Sequence, residues 1–154
     1  MKFVARMFPV ALIVFSVLSP AAEAQVYSSA ALGVAKPTGD FGDLYDLGLT
    51  YRGQVGISLL FADVHLQTGW TDLAPVEDYA EGKDLNIYHA GAGARVGLGF
   101  LWVGANAAYF FGDGEKGLGL FPEVGLKVWR LEGVVDYRID GDENWGAARV
   151  GFRF

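Results

Sequence analysis

The 154-residue chain has no cysteine, two histidines and few charges, with charged residues making up only 19% of it. Without a thiol, a disulfide scaffold, a Cys-ligated zinc or iron–sulfur site and a thiol nucleophile are all excluded. Basic residues are scarce: 12 Lys and Arg stand against 18 Asp and Glu, for a net charge of -6. This balance argues against nucleic acid as a partner, because affinity for a phosphate backbone comes mainly from cations. Long apolar runs are also missing. Beyond residue 24, charge or glycine interrupts every hydrophobic stretch before it reaches the roughly 20 residues of a membrane-spanning helix. Serine is nearly absent there too, with Ser28, Ser29 and Ser58 its only members, none with a recognisable His–Asp partner.

Aromatic and apolar residues are abundant instead, and so is glycine, whose 22 copies all lie after residue 24. Such a glycine load argues against a helical protein. The first 24 residues read differently. Lys2 and Arg6 precede an apolar run from Met7 to Leu18, and Ser19 to Ala24 supplies small residues ending in Ala-Glu-Ala. This is the pattern of a secretory signal cleaved after Ala24, leaving one domain over 25–154.

That domain has period two. Leu47, Leu49, Tyr51, Val55, Ile57 and Leu59 alternate with Gly48, Thr50, Arg52, Gln54, Gly56 and Ser58, as a strand with one greasy face does. Leu131 to Ile139 and Ala147 to Phe154 repeat the pattern. Continued along the chain, the alternation predicts about eight strands. They run approximately over Val26–Lys36, Asp46–Leu59, Val64–Asp72, Leu85–Leu98, Leu101–Phe111, Gly119–Val128, Arg130–Ile139 and Trp145–Phe154. In the fourth, holding His89 and Arg95 on the polar face puts Leu85 and Ile87 there as well, which predicts a bulge or a frayed start. Pro122 has no N–H for the ladder and is expected near a strand end or a bulge. Long polar connections (37–45, 73–84, 112–118, 140–144) alternate with very short ones near 60–63, 99–100 and 129, as in an all-β, antiparallel up-and-down barrel whose rims face different compartments.

The polar face holds many glycines and mostly Arg among its cations, which suits a packed lumen better than a solvated surface. A transmembrane barrel follows, with oily side chains toward lipid and no unpaired strand edge. The competing reading is a soluble secreted barrel of lipocalin type, with its apolar face inward. Aromatics near both rims favour the membrane. Phe61, Phe100, Trp102, Trp129, Phe152 and Phe154 lie toward the short turns, and Trp70, Tyr88, Tyr109, Phe110, Phe111 and Trp145 toward the long ones. They are expected to form two interfacial girdles. The signal segment, the alternating strands, the acidic loops and the closing Arg149-Val150-Gly151-Phe152-Arg153-Phe154 resemble the small eight-stranded outer-membrane barrels of Gram-negative bacteria, the OmpA and OmpX type. That resemblance implies an outer-membrane location among lipid and lipopolysaccharide, and Phe152 and Phe154 as the C-terminal signal read by barrel-assembly machinery. No peptidoglycan-binding domain follows Phe154, so wall anchoring is not expected.

Candidate sites are few. Arg52, Arg95, Lys127, Arg138, Arg149 and Arg153 against Glu123, Glu132 and Asp136 are expected to form a ladder of ion pairs filling the lumen, since unpaired charges are costly to bury. His65 and His89 share the lumen face with no third ligand identifiable, so neither a metal site nor a cofactor is expected. Neither has a serine two residues on, as the lipid A deacylase pattern requires, and no catalytic residue is assigned. Asp140-Gly141-Asp142-Glu143-Asn144 starts like a calcium loop but continues with Trp145 and reaches Gly151 where glutamate is needed, so a tight hairpin is expected. Thirteen of the 18 acidic residues, among them Asp40, Asp43, Asp46, Asp72, Glu77, Asp78, Glu81, Asp84, Asp113 and Glu115, lie in or beside the long connections. They read first as solubilising charge, and second as a rim that gathers divalent cations bridging lipopolysaccharide. The expected role is non-enzymatic: structural, or contact with an unidentified surface ligand through the loops. A narrow porin-like channel is the alternative.

Overall fold

The computed structural model describes residues 25–76, 83–113, 116–139, 141 and 143–154. The expected signal segment, 1–24, lies outside these residues, as do Glu77, Asp78, Glu81, Glu115, Asp140 and Asp142 of the acidic set. Eight strands follow in order: β1 (Gln25–Thr38), β2 (Tyr45–Ser58), β3 (Ala62–Pro75), β4 (Leu85–Leu98), β5 (Leu101–Gly112), β6 (Gly117–Val128), β7 (Leu131–Arg138) and β8 (Asn144–Arg153). Each pairs antiparallel with the next, and β8 returns to β1 from Thr38↔Asn144 to Ser29↔Arg153, closing the barrel. The alternation that predicts the strands also fixes their facing, because a one-residue slip would turn every side chain to the wrong side.

Three details depart from the sequence-based expectation. The start of β4 has no bulge: it pairs without interruption with β3 from Leu73↔Leu85 to Ala62↔Val96, and Leu85 and Ile87 point inward and are buried. The lumen is apolar at that level, so these residues sit on the inner face without conflict. An irregularity occurs instead between Tyr45 and Gly48 in β2. Pro122 stands well inside β6, directed outward. The β6–β7 ladder runs from Val128↔Leu131 to Glu123↔Asp136, breaks at Pro122 and resumes in the single bridge Leu120↔Ile139. The missing N–H accounts for the gap. Lastly, the first long connection contains a five-residue helix, α1 (Asp40–Leu44), whose Phe41 turns into the barrel mouth against Tyr45 and Trp145. Asp40 and Asp43 lie in its first turn, where the helix dipole favours negative charge.

Inside and outside are chemically inverted relative to a water-soluble barrel. Among the described residues, 32 large hydrophobic side chains are exposed on the outer wall and rims, far beyond the apolar patch of about 300–600 Å² that a soluble monomer normally shows. The buried set, by contrast, includes five arginines, Arg52, Arg95, Arg138, Arg149 and Arg153, and three carboxylates, Glu123, Glu132 and Asp136.

Candidate functional site

The lumen has two layers. Toward the short turns it is ionic. Glu123 accepts hydrogen bonds from Arg52 Nη1 at 2.8 Å and from Arg95 Nε at 2.7 Å. Asp136 accepts from Arg52 Nη1 at 3.2 Å and from Arg149 Nη1. Arg149 also donates to Thr50 Oγ1, and Arg95 Nη2 to Gln54 Oε1 at 2.8 Å, with Ser29 and Gln67 extending the chain through Gln54. Each fully buried carboxylate is thus shared by two guanidinium groups, which supply bonds in a planar fork. Nearer the rim, Arg153 bonds Asp63 at 2.6 Å and approaches Glu132 at 3.4 Å while lying over the Tyr27 ring. His65 donates from Nε2 to Asn106 Oδ1 at 2.7 Å.

Toward the long connections the lumen is aromatic. Phe41, Phe110, Phe121 and Trp145 form one buried cluster with Leu73, Leu85, Ile87 and three alanines, and His89 packs on Phe110 and Phe121. Phe110 meets Trp145 edge-on at 5.7 Å. The Arg138 guanidinium lies over Phe110 at 3.7 Å and over Trp145 at 4.1 Å, with Glu143 at 3.6 Å from its Nη1. Glycine makes room for the large groups. A Cβ at Gly125 would overlap the Trp102 indole, and one at Gly69 would overlap the His89 imidazole. In a barrel this narrow, a large side chain on one strand needs an empty position on the next.

Of the nine charges expected to form one ladder, seven are brought together: Arg52, Arg95, Glu123, Glu132, Asp136, Arg149 and Arg153. The other two need correction. Arg138 sits apart, in the aromatic layer, because β7 carries it past the end of the ionic zone. Lys127 is half-exposed at the short-turn rim and makes no ion pair within 4.0 Å among the described residues. Asp63 joins the set unforeseen. It falls in the short connection expected near 60–63, although its parity with His65 puts it on the lumen face.

The aromatic girdles also need correction. Tyr109 and Trp129 are exposed and Trp70 is half-exposed on the outside, where Trp70 Nε1 bonds Asn86. Trp102, Trp145 and Phe110 are instead inside, 5%, 1% and 0% exposed. Strand parity carried the signal: Trp102 and Phe110 alternate in step with the inward Gly104, and Trp145 with Arg149. Phe154 exchanges backbone hydrogen bonds with Ser28, its ring outward against Phe152, which in turn meets Trp129.

No cluster of three or more His, Asp or Glu side chains able to hold a metal exists among the described residues. His65 and His89 have separate surroundings, one polar and one aromatic. In the last loop, Asn144 donates to the Gly141 carbonyl at 3.0 Å and Gly141 has φ 47°.

No protein-family model matches the chain, and no curated protein sequence matches it. Solved structures do. The crystal structure of Neisserial surface protein A (NspA) aligns with TM-score 0.53 at 17% identity, over 84% of this chain and 97% of that one. A de novo designed protein, TMB2.3, aligns with TM-score 0.48 at 16% identity over 85% and 94%. Ail, the attachment invasion locus protein of Yersinia pestis, aligns with TM-score 0.47 at 18% identity over 84% and 99%. The likeness to NspA is one of fold: the chain is a closed, eight-stranded, all-antiparallel up-and-down barrel, the architecture of small outer-membrane barrels.

Proposed function

We propose that this protein is a non-enzymatic outer-membrane barrel with a closed lumen, acting as a structural or surface-interaction protein through its acidic long connections. The observation that carries this reading is the inverted polarity: leucine, valine and phenylalanine outside, paired arginines and carboxylates inside. Each large apolar side chain moved from water into hydrocarbon gains about 1.5–3 kcal/mol, so the wall favours a bilayer strongly over water. A soluble lipocalin-like carrier needs the opposite facing. The segment 1–24 serves as the export signal, outer-membrane lipid and lipopolysaccharide surround the wall, and Phe152 and Phe154 are what the assembly machinery reads.

Closure rests on the two layers in series. An ion crossing the lumen would have to separate carboxylates held by two arginines each and then pass the Phe110–Phe121–Trp145 cluster. Membrane fractionation with heat-modifiable gel migration tests the barrel in the membrane; recovery as a freely dissolved protein overturns it. Planar-bilayer recording tests the closure: only small, intermittent currents are expected, and a large steady conductance would establish the porin-like alternative.

A further inference from the structure

The short-turn end of the lumen opens into a cavity of about 160 Å³ lined by Asp63, Arg95, Trp102, Lys127 and Arg153 with residues of the neighbouring turns. We propose that this cavity is a binding site for a small oxyanion of phosphate size, entering from the short-turn side. Three independent features point there. The first is charge: among the described residues of the ionic layer, Arg52, Arg95, Lys127, Arg149 and Arg153 face Asp63, Glu123, Glu132 and Asp136, five cations against four carboxylates. The surplus cation is Lys127, which lies opposite Glu132 on the ladder, while Glu132 itself turns to Arg95 and Arg153. Half-exposed at the mouth of the recess and without an ion pair of its own among the described residues, Lys127 raises the local concentration of anions there.

The second is a pair of buried donors without acceptors. Trp102 Nε1 and Arg95 Nη1 have no hydrogen-bond partner among the described residues, although Trp102 is 5% exposed and Arg95 2%. Glu132 Oε2 lies 3.6 Å from Arg95 Nη1, too far for a hydrogen bond. Indole nitrogen only donates and a guanidinium never accepts, so what satisfies them must be an acceptor. An oxyanion offers several acceptor oxygens and cancels the charge at once. Third, the recess is closely packed on one side and sized for it. Arg95 stacks on Trp102 at 4.1 Å, and the indole lies where a Cβ on Gly125 would be. The volume equals the liquid share of about five waters, enough for a tetrahedral anion with one or two waters and too small for a drug-sized molecule. The ionic and aromatic layers close its far side, which makes it a binding pocket and not an entrance to a channel.

The test uses the full chain purified in a phosphate-free maltoside detergent at constant ionic strength, titrated with inorganic phosphate by calorimetry. Saturable binding of one phosphate per barrel, with Kd on the order of 1 mM, is expected. Lys127→Gln should weaken it about tenfold, and Trp102→Phe, which keeps a ring but removes the N–H, should weaken it about threefold. Arg130→Gln, at the same rim but stacked on Trp129 outside the lumen, should leave it unchanged. Heat-modifiable migration verifies that each variant is folded, and Lys127→Arg should restore binding. A parallel titration with glycerol 3-phosphate separates the two sources of this chemistry: tighter binding than inorganic phosphate assigns a lipid headgroup ester, weaker binding the free ion. Absence of saturable binding in the native chain overturns the proposal, as does undiminished binding in both Lys127→Gln and Trp102→Phe, or loss only in Arg130→Gln.

Discussion

At Asp136, one carboxylate holds two arginines from two other strands, and both are buried. Removing it strands Arg52 with Glu123 alone and leaves Arg149 with only Thr50. Asp136→Ala should therefore cost about 3 kcal/mol, read as a lower urea midpoint for unfolding from lipid vesicles; an unchanged midpoint would show that water already shields the pair. Gly125 tests a different effect, that of space. Gly125→Ala forces a methyl into the Trp102 indole, and overpacking of this kind costs about 1–3 kcal/mol. Combined with Trp102→Phe, whose ring is smaller, the two changes should cost less than their sum, because the second makes room for the first.

Among the elements, β6 has the interrupted ladder. Pro122 faces Tyr137 on β7 in a hydrogen-bonding position with no N–H to give. Pro122→Ala should add one ladder bond, stabilise the barrel by about 1 kcal/mol and slow amide exchange along β6 and β7; faster exchange would mean that the proline relieves strain there. The helix α1 matters through a single side chain. Phe41 is buried against Trp145 and Tyr45, so Phe41→Ala should expose the Trp145 indole. The expected signs are a red-shifted tryptophan emission and a loss of up to about 3 kcal/mol. Emission unchanged from the native chain would place the aromatic closure in the strands alone.

For the molecule as a whole, the two lumen layers make different demands on conditions. The ionic layer is buried and so only weakly screened by salt, whereas the aromatic layer is held by packing. If the aromatic layer is what closes the barrel, Phe110→Ala with Trp145→Ala should produce larger and longer currents in planar bilayers, while Asp136→Asn, which spares that layer, should leave conductance near that of the native chain. The reverse order would move the closure to the ion pairs.

The alternation of apolar and polar residues was enough to determine strand number, approximate boundaries and facing, because side chains on a strand alternate strictly and only one register buries the right set. It also determined that Arg52, Arg95, Glu123, Asp136 and Arg149 share the inner face. Parity further held the positions of Trp102, Phe110, Trp145 and Asp63, against a general expectation that aromatics mark the rims and that turn residues face solvent. Which cation meets which carboxylate was decided by the tertiary structure alone. Arg52 reaches Glu123 and Asp136 across the lumen from residues 71 and 84 positions away, and such pairings depend on the closure of the ring, which no local pattern encodes. The same closure separates Arg138 into the aromatic layer, brings Phe41 into the mouth and leaves Lys127 beside two unpartnered donors, because depth along the barrel axis depends on strand stagger and not on period.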